Sequence, residues 1–150
     1  GQHTMQLQLW LDRVWGKYLL DGAGNPKTRV HGFGITSIPL MERYPWYSCD
    51  SSSWIQTTSF GGITIPGYGN LDVSAESPNR QIAGAHIDTL TQIERDKIEA
   101  VISAQGFDPE RVRTYYGRCT YNIWAYKEIE RVINNKKTAG LKLPLVQELF

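Results

Sequence analysis

Apolar residues near the start of the chain recur at three- and four-residue steps. Leu7, Trp10, Leu11, Val14, Trp15 and Tyr18 share one helical face, and Leu9, Leu19 and Leu20 widen it, so the spacing predicts an amphipathic helix over 6–20. Asp21, Gly22, Gly24, Asn25 and Pro26 then stack several stop and turn signals. Residues 29–35 predict a strand, weakened inside by Gly32 and Gly34, which mark a turn or a close approach of something else. Ser37 is placed to cap a short helix over 38–43 that tolerates Pro39 in its first turn, and Pro45 stops it. Residues 46–49 predict a second strand that ends on Asp50.

The order strand, short helix, strand, with small or polar residues at each strand end, fits the βα units of a barrel. In such barrels the chemistry gathers at the C-terminal strand ends, here Gly34 to Ser37 and Asp50 to Ser53. Residues 51–80 are polar and rich in glycine. Ile63, Thr64 and Ile65 suggest one strand of a small hairpin, with a turn from Pro66 to Asn70, and the segment reads as an insertion between barrel elements. A helix is predicted over 91–105, with Ile93, Ile98, Val101 and Ile102 on one side and a Thr91/Glu94 capping box. Gly106 ends it, and Asp108 with Pro109 restarts the chain. Residues 111–115 read as a short helix or a brief strand. Residues 118–134 predict the last helix, with Ile123, Trp124, Ile129, Val132 and Ile133 apolar. The C-terminal tail, 136–150, is left unassigned, although Leu141 to Phe150 are apolar enough to dock.

A length of 150 residues points to one domain, and 41% hydrophobic with 21% charged residues is ordinary for a chain that buries a core. The net charge of +1 excludes a strongly basic DNA-coating protein but leaves room for a local basic groove. Cys49 and Cys119 match no zinc spacing, so thiols in a reducing compartment, and no metal, are expected. No apolar run approaches the roughly 18 residues of a membrane helix. Without a secretory pattern the expected location is cytoplasmic. Gly1 to Thr4, before Met5, read as a leftover of cloning.

Val30-His31-Gly32-Phe33-Gly34-Ile35-Thr36, a short helix, and then Tyr47-Ser48-Cys49-Asp50-Ser51 carry a resemblance. The arrangement resembles the tRNA-guanine transglycosylase superfamily, in wording closest to phage-type members that place 7-deazaguanines in DNA or RNA. Late in that family's TIM barrel a strand ends in a glycine-containing segment, and the next ends in a nucleophilic aspartate. His31 to Gly34 and Asp50 stand at those positions. The resemblance runs over 30–132, although its specific motifs occupy few of those positions. It implies an α/β fold, the C-terminal half of a TIM-type (β/α) barrel with a small hairpin insertion. It also implies base exchange on guanine or 7-deazaguanine in DNA or tRNA without a cofactor. The tRNA enzymes' cysteine-rich zinc site has no counterpart in 55–118, and the family's first catalytic aspartate lies on earlier strands that this chain lacks.

The chemistry suits the residues. Base exchange passes through an oxocarbenium-like state that a carboxylate traps, which is the role expected of Asp50, backed by Ser51 and Ser52. Gly32 and Gly34, with His31 and Phe33, are expected to border a flat purine, and Trp54 or Tyr47 to stack on it, a contact worth about 1–3 kcal/mol per base. Arg111, Arg113 and Arg118, interleaved with Tyr115 and Tyr116, form a candidate nucleic-acid patch.

Each feature also has a plainer reading. Asp50 before three serines suits an Asx turn or N-cap. His31 suits a packed strand histidine, Cys49 and Cys119 core positions, Trp10 and Trp15 packing, and the arginines a solvated helix face. His86 and Asp88 read as surface polarity. A half-barrel leaves sheet edges open, so a homodimer, or a longer protein supplying the N-terminal half, is expected. The alternative function is a non-catalytic nucleic-acid-binding or scaffold module. A third possibility is a different α/β fold, in which the Asp50 cluster is only a turn.

Overall fold

The computed structural model describes residues 2–35 and 37–138, with side chains from 5 to 136. Thr36 of the quoted motif, Gly1 and the tail from 139 lie outside the described residues. The chain is mixed α/β, and it divides into two compact units. One comprises Gly1–Ser51 and the chain from Val132 onward; the other is Ser52–Arg131. Among the described residues each sheet has two strands.

The first unit begins with α1, Gln2–Val14, which runs on as a π-helical turn over Trp15–Leu19. Leu11 and Trp15 are buried as the periodicity requires, while Trp10 and Tyr18 on the edge of the same stripe stay largely exposed. Against the buried face lies α2, Ile38–Arg43, at the expected bounds. Ser37 occupies its N-cap position but makes no capping bond with its side chain. Trp15 stacks on Tyr44 at 5.9 Å and meets the edge of Trp46 at 5.1 Å. Leu11 and Leu40 complete this core.

One carboxylate fastens these pieces. Asp12 receives Arg43 Nε at 2.8 Å and Nη2 at 3.0 Å, and the Tyr44 hydroxyl lies 2.8 Å from its Oδ1. Trp46 Nε1 donates to the Leu40 carbonyl at 2.9 Å, tying the chain after α2 back onto the helix. Beside this clamp β1, His31–Gly32, and β2, Ser48–Cys49, pair in parallel, His31 with Ser48 and Gly32 with Cys49. Both strands are shorter than expected. Gly34, at φ +66°, turns the chain out of β1.

In the second unit α3, Ser53–Ser59, leads into the hairpin of β3, Gly62–Ile65, and β4, Gly69–Asp72. The hairpin is where the sequence places it. Ile63, Ile65, Leu71 and Val73 are buried in this unit's core, and β3 is buried at every position from Gly62 to Ile65. A short 3-10 turn, Ile87–Thr89, precedes α4, Gln92–Ala104, whose Thr91/Glu94 capping box forms as expected. Ile98 and Ile102 face inward, whereas Ile93 and Val101 do not.

α5, Pro109–Val112, is capped by Asp108, and the segment after it is helical rather than a strand. α6, Tyr115–Thr138, starts a turn earlier than expected because the Thr114 hydroxyl accepts the Gly117 N–H at 3.2 Å. Gly117 is obligatory there, since a Cβ would lie 1.8 Å from the Arg111 carbonyl oxygen. Tyr121, Ala125 and Ile129 are buried at four-residue steps along α6, and Ile123 is not. Asn122, fully buried, accepts the Thr64 N–H at 2.8 Å and donates to Thr58 Oγ1 at 2.7 Å and to the Gly62 carbonyl at 3.1 Å. One amide thus binds α6 to β3 and to α3.

The Asp12 clamp makes the first unit sensitive to acid. Burial pushes the Asp12 carboxyl up, but hydrogen bonds from Arg43 and Tyr44, with the Arg43 charge, outweigh it and leave it below its ordinary 3.8. A carboxylate depressed by folding stabilises at every pH above its unfolded value and loses that contribution as pH falls through the folded one. Melting followed by near-UV circular dichroism of the tryptophans is therefore expected to weaken below pH 3.8. Asp12→Asn is expected to cost roughly 1–3 kcal/mol at neutral pH and to flatten that acid response. An equally steep response in the variant would remove the clamp from the explanation.

Candidate active site at the end of β2

Side chains alternate across a strand, so pairing His31 with Ser48 puts His31, Ser48 and the residue two beyond, Asp50, on one face. Gly32 and Cys49 take the other. The ladder continues past the strands, with Tyr47 N donating to the Val30 carbonyl at 2.9 Å and Asp50 N to the Gly32 carbonyl at 3.2 Å. That second bond fixes where the Asp50 backbone stops.

On the shared face three groups form a row. His31 Nδ1 lies 2.8 Å from Ser48 Oγ, and His31 Nε2 lies 3.6 Å from Asp50 Oδ2. The other carboxylate oxygen accepts the Gly34 N–H at 3.1 Å. The Asp50 side chain is 56% exposed, open to a ligand, with one oxygen held by the Gly34 N–H and the other facing the imidazole. Phe33 meets the imidazole edge to face at 4.4 Å and is itself 81% exposed. Close by in sequence, the Arg29 guanidinium lies over the Tyr47 ring at 4.7 Å.

The two glycines play different parts. Around Gly34 there is open space, and its N–H faces the carboxylate. Gly32 does not border a ligand wall, because a Cβ there would come within 3.1 Å of Cys49 Sγ and Trp46 Cε3, on the interior side. Its lack of a side chain is a packing requirement. Ser52 and Trp54 belong to the second unit, at the N-cap and in the first turn of α3, and Ser51 is the last residue of the first unit before it. The structure thus gathers His31, Phe33, Gly34 and Asp50 of the expected set. It adds Ser48, which sequence reasoning passed over although its spacing from Asp50 on a strand was the available signal.

The arginine patch disperses. Arg118 is buried, with Nε donating to the Thr58 carbonyl at 3.1 Å and Nη1 to the Arg113 carbonyl. Burial lowers its pKa below the usual guanidinium value, but a guanidinium stays charged at neutral pH. It is a core strut and not a phosphate contact. Arg113 is engaged by three carboxylates, Asp88 at 3.3 Å and Glu99 and Glu110 at 3.7 Å. Arg111 alone of the three lines an open cavity of about 360 Å³, with Phe107, Thr114, Tyr116 and Thr120.

His86, expected at the surface, is wholly buried. Its Nε2 lies 2.9 Å from the Ser74 carbonyl and its Nδ1 3.0 Å from the Asp88 N–H. A carbonyl only accepts and an N–H only donates, so the ring is the neutral Nε2–H tautomer, a satisfied core histidine. Among the described residues no three His, Cys, Asp or Glu side chains group to hold a metal, and no helix is long and apolar enough to cross a membrane.

The chain matches no protein-family model, no curated protein and no solved structure.

The two buried and exposed arginines give opposite expectations. Arg118→Ala removes a buried guanidinium and its bonds to two backbone carbonyls, and should lower stability by about 2 kcal/mol, whereas Arg111→Ala should stay within about 0.5 kcal/mol of the wild type. Urea midpoints compare them directly, and an Arg118 variant as stable as the parent would contradict its role in the core.

Proposed function

We propose that this chain carries the nucleophile strand of a base-exchange transglycosylase acting on guanine or 7-deazaguanine in DNA or tRNA, with Asp50 as nucleophile. One observation carries the reading. The half-exposed Asp50 carboxylate stands where a parallel strand ends, held by an N–H from the glycine turn of the neighbouring parallel strand. Parallel barrels place reactive groups at that end of their strands. In this reading β1, α2 and β2 form one unit of a (β/α) barrel, and the other strands come from a longer chain or a second copy.

The chemistry is a double displacement. An Asp50 oxygen bonds to the sugar C1′ as the bond from C1′ to guanine N9 breaks, and that electron pair leaves with the base. The incoming base then attacks C1′ from the vacated side, displacing the carboxylate and restoring the original configuration. Its N9 proton ends on the departed guanine, so charge and atoms balance. The target nucleotide has to swing out of its stack to present C1′. Phe33, exposed beside the His31 ring, offers an apolar ring for a flipped base. The binding-module alternative loses support, because Arg118 and Arg113 are committed within the protein.

A labelled-guanine exchange assay on duplex DNA and on tRNA tests the proposal. Label should enter one substrate with the wild-type chain, and Asp50→Asn should reduce entry on the order of a thousandfold or more. Incorporation indifferent to that substitution would take Asp50 out of the mechanism.

A further inference from the structure

We propose that His31 and Ser48 are positioning residues that fix the Asp50 carboxylate for attack, in an ordered row where the Ser48 hydroxyl is hydrogen-bonded to the imidazole and the imidazole faces the carboxylate. The proposal rests on the base-exchange reading for its catalytic consequence, though the order of the chain can be tested alone.

The direction follows from what each group can do. A carboxylate offers acceptors only, so Asp50 Oδ2 at 3.6 Å favours the ring tautomer with its proton on Nε2. Nδ1 is then an acceptor, and its neighbour at 2.8 Å, Ser48 Oγ, becomes the donor. A serine hydroxyl rotates to suit, so Ser48 selects nothing by itself but locks whichever tautomer the carboxylate favours. Phe33, packed against the ring at 79°, opposes a flip that would bring carbon atoms toward both partners. The 3.6 Å gap is longer than a hydrogen bond, and such contacts often tighten only when substrate is bound.

The other oxygen, Oδ1, accepts the Gly34 N–H, so the carboxylate has one hydrogen-bonded oxygen and one turned toward the imidazole. Neither anchor is a proton donor to the leaving base. That base departs on the face of the sugar opposite the attacking oxygen, whereas His31 contacts the nucleophile itself. Positioning is therefore the role its place allows. A row of serine, histidine and aspartate also suggests a serine nucleophile, but the Gly34 N–H is already given to Asp50 rather than to a developing oxyanion.

Two measurements decide it. With histidine labelled in nitrogen-15, long-range proton–nitrogen correlations read the tautomer of each neutral ring, and His86, in the other unit, serves as the internal reference. His31 should report Nε2–H. Ser48→Ala and Asp50→Asn should each mix its tautomers while leaving His86 unchanged, and Ser48 is exposed, so its truncation spares the fold. In the exchange assay His31→Ala should lower kcat by about tenfold to a hundredfold with KM little changed. His31→Gln, which keeps a donor near the Nε2 position, should recover part of that loss. Wild-type exchange with a His31 tautomer indifferent to both substitutions, or His31→Ala turning over at the wild-type rate, overturns the proposal. No exchange by the wild type, with a tautomer that responds to both substitutions, instead rejects the transglycosylase reading and supports the hydrogen-bond order.

Discussion

The carboxylate of Asp12 is the constraint from which the first unit follows. It takes two bonds from Arg43 and one from Tyr44, which stand at the end of α2 and just beyond it, and so fastens α2 to α1. Because α2 is the crossover between β1 and β2, holding it also sets where β2 returns. Trp15, Tyr44 and Trp46 fill the space behind with mutually tilted and stacked rings, and such pairs add about 0.5–1.5 kcal/mol beyond the area they bury. Burial and the adjacent Asp12 push the Tyr44 hydroxyl well above its ordinary 10, which keeps it protonated and able to donate.

From that crossover the site follows almost geometrically. Two-residue strands would be marginal alone, yet here the crossover brings them together, and the parallel register lines up His31 with Ser48. Alternation then delivers Asp50 to the same face. The interior side of the pair demands a glycine at position 32, since Cys49 and Trp46 leave no room for a Cβ. The two glycines of the motif thus serve two ends of one design, Gly32 the packing beneath and Gly34 the turn above.

The second unit is organised by a different device, a buried polar cluster. Asn122 satisfies three partners and Arg118 two backbone carbonyls, so α6 is bonded to α3 and β3 at depth. Buried polar groups that are fully paired specify one arrangement, because any other leaves them unpaired at a cost of about 1–3 kcal/mol each. This also explains why the arginines misled a reading of the chain as a string. Arg111, Arg113 and Arg118 look like one basic patch, but a helix turn and a cap point them to three different environments.

Local signals were enough for local structure. The bounds of α2, the Thr91/Glu94 box, the Asp108 cap, the Gly106 stop and the hairpin around Pro66 to Asn70 could all be read along the chain, because each depends on backbone groups a few residues apart. So could the position of Asp50 at the end of a short strand. What the string could not carry was partnership across distance. Whether His86 is at the surface or wholly buried, whether Gly32 meets a ligand or Trp46, and whether Arg118 meets phosphate or the Thr58 carbonyl all turn on atoms many residues away. Sequence alone therefore determined most of the helices and their local stops, but not α3 or the short reach of β1 and β2. Only tertiary packing decided which face of each element is inside, and with it that Ser48, His31 and Asp50 stand in one row, since burial and long-range hydrogen bonding are properties of the assembled chain.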